Sequence, residues 1–379
     1  MEKKPIRIFN IKYSEEDKQK INSYFNQVID EAFLTNHTFC RKLEKKCEGI
    51  FKPYNAISCN SATGGLEVIF RYLNVKNKAV LVQSNTFIAT AHAIQAAGGI
   101  IVPIDLDEDY VMSTLDLKNA ISECKSKSLE IGAVCIVNIS GLSSDGIVEI
   151  QNICSEQKIP FVEDNAQGMF SKHNGKYLGT FADFSVSSFQ TTKVVACGEG
   201  GMIFVKNKED YENIKNFISY GKSKDVPMLF ENDSGNFKLS ELNAALAFAD
   251  LERSEERIKA RQKINDFYKG NISSEFFQYL NNPKGNITST YKSLFIANSK
   301  EIRNKIEDHF KENLVAMTGY VYKIPLHQQP RVINSFGFRK RNLEKTDLFC
   351  NTHFTPPNYP ELTNDEINYV CKVMNEFSI

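Results

Sequence analysis

The chain has 379 residues, 42% hydrophobic and 24% charged, and 46 Lys plus Arg balance 46 Asp plus Glu for a formal net charge of zero. That composition excludes a disordered or collagen-like chain, and the neutral balance argues against a nucleic-acid binder, which carries a clear basic excess. No apolar run approaches the ~20 residues of a membrane span, and the start, Met1-Glu2-Lys3-Lys4-Pro5-Ile6, lacks the apolar stretch of a signal peptide.

From about residue 56 to 206, short apolar runs alternate with helix-like stretches. The runs are 79–82, 100–104, 133–137 and 159–162. Their unbroken apolar character predicts strands covered on both faces. Segments 86–97 and 147–157 are long enough for crossover helices. The pattern predicts an α/β fold with a mostly parallel central sheet and helices on both faces. Residues 240–268 read as one long helix, with Leu242, Ala245, Leu246 and Ala249 on one stripe. Residues 269–291 are polar and rich in Asn, Gly and Ser, a loop signal. A strand (294–297), a helix (300–313), a strand (315–318) and a final helix follow. The final helix opens on Thr363-Asn364-Asp365-Glu366, a capping-box pattern. Two domains are expected, a large one at 1–249 and a smaller C-terminal α+β one at 250–379.

Nine cysteines stand at 40, 47, 59, 124, 135, 154, 197, 350 and 371. None has C-x-x-C spacing, so no zinc knuckle or thioredoxin motif is present and no metal site is expected. Most lie in apolar segments, as buried free thiols do. A reducing cytoplasm is the expected compartment.

Several strands end in polar residues, and open α/β sheets bind ligands at the carboxyl ends of their strands. Four stretches there carry chemistry. Ser61-Ala62-Thr63-Gly64-Gly65 runs from a β-like segment into a helix, where small residues let backbone N–H groups approach an anion. It also reads as a plain helix N-cap, and it is not a P-loop, because no G-K-[ST] follows. Phe87 lies just past a strand end, where an aromatic stacks on a planar ring or packs in the core. Glu163-Asp164 end a buried strand. One of the two acids could cap a helix, and an acid there could also pair with a protonated pyridine nitrogen. In Phe184–Val205, a β run leads into a polar turn with one lysine, Lys193, then into Gly198-Glu199-Gly200-Gly201 and another β run. A lysine amine freed of its proton by burial is a nucleophile for aldehydes.

Together these stretches resemble the sugar aminotransferases of the DegT/DnrJ/StrS family, which are fold-type I enzymes dependent on pyridoxal 5'-phosphate (PLP). The similarity runs over nearly the whole chain. It includes Thr86-Phe87-Ile88-Ala89-Thr90, Glu163-Asp164-Asn165-Ala166-Gln167, Ser188-Phe189 with Lys193, Gly198–Gly201, Gly235-Asn236-Phe237-Lys238-Leu239-Ser240-Glu241-Leu242-Asn243 and Pro325-Leu326-His327. The resemblance implies that Lys193 holds PLP covalently and moves the proton between substrate and cofactor. Asp164 would pair with the pyridine nitrogen, Phe87 would stack on the ring, and Gln167 would lie near its phenolic oxygen. Ser188, Ala62 and Thr63 would bind the phosphate. Asn236 would reach the cofactor phosphate of a neighbouring subunit in a homodimer with shared sites. His327 would line the substrate pocket.

The sequence departs from the family pattern at three places. Gln190 stands where His is frequent, and it is a candidate substrate contact. Lys238 stands where Arg is usual, and Asn138-Ile139-Ser140-Gly141 replaces His-x-Tyr-Gly. Losing the arginine fork alters any anion contact there. The implied reaction is transamination of a nucleotide-linked 4-keto-6-deoxysugar, with L-glutamate as donor. The choice of carbon 4 follows the Gly-Glu-Gly-Gly after the lysine. The alternatives are a 3-keto-sugar aminotransferase, a PLP-dependent sugar dehydratase, in which the lysine is replaced by histidine, or a non-catalytic regulatory relative. Retention of Lys193 and Asp164 argues against the last two.

Overall fold

A computed structural model describes residues 5–318 and 322–379 of the chain. Two helices come first, α1 (Glu15–Glu31) and α2 (Thr38–Ile50). The sheet-forming region follows with β1 (Asn55–Cys59), α3 (Ala62–Tyr72), β2 (Ala79–Gln83), α4 (Ile88–Ala96) and β3 (Ile100–Ile104). It continues with α5 (Thr114–Ser126), β4 (Ile131–Val137), α6 (Gly146–Gln157) and β5 (Phe161–Asp164). A small hairpin, β6 (Lys172–His173) and β7 (Lys176–Tyr177), precedes β8 (Phe184–Ser188), β9 (Gly201–Val205) and α7 (Lys208–Phe217).

Seven strands form one sheet in the order β1-β9-β8-β5-β4-β2-β3. Strands β3, β2, β4, β5 and β8 run parallel, and β9 runs against both its neighbours. The apolar runs are unbroken because successive residues face two different cores. Val80, Val82, Ala133 and Cys135 pack with α3, α4 and α7, whereas Ala79, Leu81, Val134 and Ile136 pack with α5 and α6. Helices therefore cover both faces, as the sequence predicts.

Two long helices follow, α8 (Glu241–Glu252) and α9 (Ser254–Asn271), where the periodicity predicts one. The break at Arg253 has a local cause. The Ser254 hydroxyl bonds the Leu251 carbonyl at 2.8 Å, competing with the helical ladder. Arg253 is turned toward the N-terminal segment, with its guanidinium 3.2 Å from Asp17.

The stretch read as a loop holds two short strands, β10 (Phe277–Tyr279) and β11 (Asn286–Ile287); β11 adds to the β6-β7 hairpin. The chain ends with β12 (Phe295–Ala297), α10 (Lys300–Glu312), α11 (Pro330–Ile333), α12 (Glu344–Thr352), β13 (His353–Phe354) and α13 (Asn364–Asn375). Strands β10, β12 and β13 form a second, antiparallel sheet. Residues 315–318 make single bridges rather than the expected strand, Val315 to Ile6 and Thr318 to Thr355. Ile6 thereby joins the core of this second sheet with Phe295, Ile306, Phe310 and Val370. Thr363 and Glu366 close the expected capping box on α13. Among the described residues, no helix is long and apolar enough to cross a membrane.

The first turn of α2 lacks a side-chain cap of its own. Glu241, buried at the start of α8, supplies one from a distance. Its carboxylate accepts from the N–H groups of His37 (2.5 Å), Phe39 (2.6 Å) and Cys40 (3.2 Å). A helix start otherwise leaves these donors without partners. Glu241→Ala is expected to destabilise the protein by about 3 kcal/mol, read as a lower urea midpoint. A shift below about 0.5 kcal/mol, the size of an ordinary surface substitution, would contradict this.

Candidate active site

The carboxyl ends of β1, β2, β4, β5 and β8 lie along one edge of the sheet, and β9 starts there. A cavity of about 680 Å³ opens at this edge. The sheet side contributes Ser61, Ala62, Thr63, Phe87, Asp164, Gln167, Ser188, Gln190 and Lys193. Arg261, Tyr291, Lys292, Met317, Thr318 and Asn358 face it from the C-terminal part, with Ile8 and Phe9 from the N-terminal segment. The structure thus gathers eight of the ten sequence-predicted residues around one space.

Adjacent strand residues point to opposite faces, which separates the two acids at the end of β5. Glu163 turns away from the cavity. Its carboxylate accepts from the N–H groups of Gly179 (2.7 Å), Phe181 (2.7 Å) and Ala182 (2.9 Å), and from Asn138 Nδ2 (3.0 Å). Glu163 is therefore a loop anchor. Asp164 faces the cavity, where Thr90 Oγ1 donates to one oxygen at 2.7 Å and the Ala166 N–H to the other at 3.1 Å. Burial pushes its pKa up, and the bonds from Thr90 and Ala166 and the charge of Lys193 only partly oppose this.

At the start of α3, Ser61 Oγ accepts from the Gly64 N–H at 3.0 Å. The N–H groups of Ala62 and Thr63 are among those a helix leaves without internal acceptors, and both residues line the cavity. Gly201 permits this packing, since a Cβ there would sit 2.8 Å from Ala62 N.

The lysine turn is held by its own backbone. Lys193 N donates to Gln190 O at 2.8 Å, and Thr191 N to Gly198 O at 3.0 Å. Gly198 adopts φ 90°, a region that favours glycine. Gln190 Oε1 accepts from Thr192 N (2.9 Å) and Thr192 Oγ1 (2.7 Å), so this carboxamide braces the turn while lining the cavity. Gln167 Oε1 accepts from Ser140 N at 3.0 Å, and its Nε2 bonds the Tyr322 hydroxyl.

Two predicted residues lie elsewhere. His327 is outside the cavity lining of its own chain, with Nδ1 2.9 Å from Ser84 Oγ and Nε2 3.0 Å from Asp347. Both ring nitrogens are thus engaged, and burial lowers its pKa against the pull of Asp347. Asn236 is exposed on the segment bridged to Ser219, also outside this cavity.

Sequence reasoning missed the facing wall. Lys193 Nζ lies over the Tyr291 ring, 4.9 Å from its centroid, and the Tyr291 hydroxyl is 3.0 Å from Thr192 Oγ1. Burial pushes the Tyr291 phenol up, but Lys193, Lys292, the Thr192 bond and Arg261 outweigh it, bringing the pKa to about 8. Arg261, Tyr291 and Lys292 belong to no motif in the sequence and meet only through the fold.

The sequence model of the DegT/DnrJ/EryC1/StrS aminotransferase family matches residues 15–375. GDP-perosamine synthase of Escherichia coli O157:H7 is 26% identical, covering 94% of this chain and 95% of that protein. UDP-4-amino-4,6-dideoxy-N-acetyl-beta-L-altrosamine transaminase of Campylobacter jejuni is 27% identical over 93% of each chain. UDP-2-acetamido-2-deoxy-3-oxo-D-glucuronate aminotransferase of Pseudomonas aeruginosa is 26% identical, covering 94% of this chain and 96% of that protein. Among solved structures, Spr1654 of Streptococcus pneumoniae in its PLP form superposes with a TM-score of 0.87 at 21% identity, over 98% of each chain. That likeness shows the fold.

Proposed function

The chain belongs to the DegT/DnrJ/EryC1/StrS aminotransferase family, and on that footing we propose that it aminates a nucleotide-linked 4-keto-6-deoxysugar with L-glutamate as donor. The observation that carries the reading is the convergence of Lys193, Asp164 and the α3 N-terminus on one cavity. The cofactor is PLP, and the cavity suits it. Phe87 is 49% exposed, a large aromatic face left open on the cavity wall. Asp164 is a buried carboxylate that a protonated ring nitrogen would complete. Ala62, Thr63 and Ser188 offer donors for a phosphate.

Bound PLP supplies an aldehyde that carries the amino group and a ring that delocalises the electrons left behind when a proton leaves the neighbouring carbon. The chain's own residues do the rest. Lys193 holds the cofactor and moves the proton at its Nζ. Thr90 and Ala166 fix both oxygens of Asp164, so that its charge is aimed at one point. Ser140 and Tyr322 orient Gln167 from two sides. The sheet-side and C-terminal walls together shield the reacting atoms from water. The nine free cysteines, all buried, suit the proposed cytoplasmic setting.

We read Asn236, exposed and outside its own cavity, as serving the neighbouring subunit of a homodimer. Mixing inactive Lys193→Ala and Asn236→Ala subunits is then expected to restore part of the activity, because a heterodimer holds one intact site. No recovery after verified subunit exchange would defeat the shared site.

The position of the keto group is read from relatives. The Campylobacter relative's name carries a 4-amino-4,6-dideoxy sugar, while the Pseudomonas relative's name carries a 3-oxo sugar. A displacement of ~1 Å costs on the order of 100-fold in rate, so one isomer should dominate. Separate incubations of 4-keto and 3-keto nucleotide sugars with glutamate, with the amine located by NMR, test this. The 4-keto compound should react at least about 100-fold faster; faster conversion of the 3-keto isomer would overturn the assignment.

A further inference from the structure

Lys292 lines the cavity from the segment just before β12, partly buried. Its Nζ lies 5.6 Å from the ring centroid of Tyr291 and 5.6 Å from that of Tyr322. Lys193 Nζ stands over the same Tyr291 ring at 4.9 Å. Two ammonium groups thus stand near one phenol ring. Among the described residues, no carboxylate forms an ion pair with Lys292 and no acceptor takes a hydrogen bond from it. The acids lining the cavity are Asp164 and Glu199. Asp164 is bonded by Thr90 and Ala166 and belongs to the cofactor side.

Burial lowers the Lys292 pKa, the Tyr291 phenol partly opposes this, and the like charge of Lys193 lowers it further. An ammonium so placed is stabilised by any anion that enters. The phosphate cradle lies at the other wall, so the reaction supplies a different anion here. On the aminotransferase reading above, every amino-acid donor carries a carboxylate on the carbon whose proton Lys193 removes. That carboxylate must come to rest close to Lys193 Nζ, in the cavity that Lys292 also lines, with the Tyr291 ring near both amines.

We propose that Lys292 recognises the carboxylate of the amino-acid donor, pairing with it as an ammonium beside the Tyr291 ring. The residue lies against the Tyr291 and Tyr322 rings and, among the described residues, makes no ion pair or hydrogen bond, so its removal leaves no carboxylate or hydrogen-bond acceptor unpaired. Methionine keeps most of its length, and the variant is expected to fold.

The test titrates the holoenzyme with glutarate, a dicarboxylate that lacks the transferable amine, and separately with UDP. In Lys292→Met the glutarate Kd should rise about 10- to 100-fold, the range of a charged hydrogen bond. Binding of UDP should stay within about twofold, and Lys292→Arg should recover most of the glutarate affinity. In single turnovers with glutamate, the apparent Kd should rise more than the limiting rate falls. Glutarate binding within twofold of the parent in Lys292→Met would overturn the proposal, as would an equal loss of UDP binding. An unchanged cofactor spectrum when the parent enzyme receives glutamate would instead count against the aminotransferase reading itself.

Discussion

Lys193→Ala is expected to cut turnover on the order of 10⁴-fold, the upper end of what a positioned proton carrier contributes, while leaving the fold intact. The upper end applies because the same amine both holds the cofactor and moves the proton, and such coupled roles fail together. The fold should survive because backbone bonds and Gln190, rather than the lysine side chain, hold the turn. PLP should still bind without a covalent link through the phosphate-side donors. Borohydride reduction of the parent holoenzyme, followed by peptide mapping, should place the cofactor mass on Lys193 and nowhere else. Lys292 makes this demanding, since it is a second lysine in the same cavity. A label on Lys292 would exchange the roles of the two. An independent readout uses Tyr291. In the cofactor-free protein Lys193 is the largest influence lowering its pKa to about 8. Removing Lys193 should therefore move the phenol's spectrophotometric titration upward.

The reach of the sequence follows from what makes each element. Strands β2, β3 and β4 are buried on both faces, so their apolar runs stand out without any partner being known. Asp164, Ser188 and the Lys193 turn were legible because they terminate or follow such runs. Strands β10 and β11 were not, since they are two or three residues long and owe their pairing to β12 and β6. The break between α8 and α9 was hidden because it rests on one serine hydroxyl and a contact from Arg253 to Asp17, far off in sequence. The same reason explains the missed wall of the site. Arg261 lies on α9 and Tyr291 and Lys292 in a polar stretch, and nothing local distinguishes them from solvated residues. His327 shows the opposite limit. Its motif was visible, but its bonds to Ser84 and Asp347 depend on tertiary neighbours.

Asp164→Asn is expected to lower turnover roughly 10²–10³-fold, the cost of removing one preorganised charge partner, yet to leave the cofactor-free protein at least as stable as its parent at pH 8. The two effects have one origin. Without a cationic ring partner, burial raises the Asp164 pKa above its unfolded value of 3.8. The folded state then holds more protons than the unfolded state across that interval, so stability falls as pH rises through it. Asparagine removes the ionisation, and the variant should lose that fall. The substitution also fits the bonds around it. The amide oxygen can keep the Ala166 N–H, while the amide nitrogen meets Thr90 Oγ1, which can turn its own proton toward Thr86 Oγ1, 2.9 Å away. Thermal unfolding of both cofactor-free proteins from pH 4 to pH 8 reads the difference, which should grow with pH in favour of the variant. A variant that melts well below the parent at pH 8 would make Asp164 a structural anchor like Glu163. Near-parental turnover in the same variant would remove it from the ring nitrogen. The expected combination, lost rate without lost stability, is the mark of a charge held in an unfavourable place for the ligand it meets there.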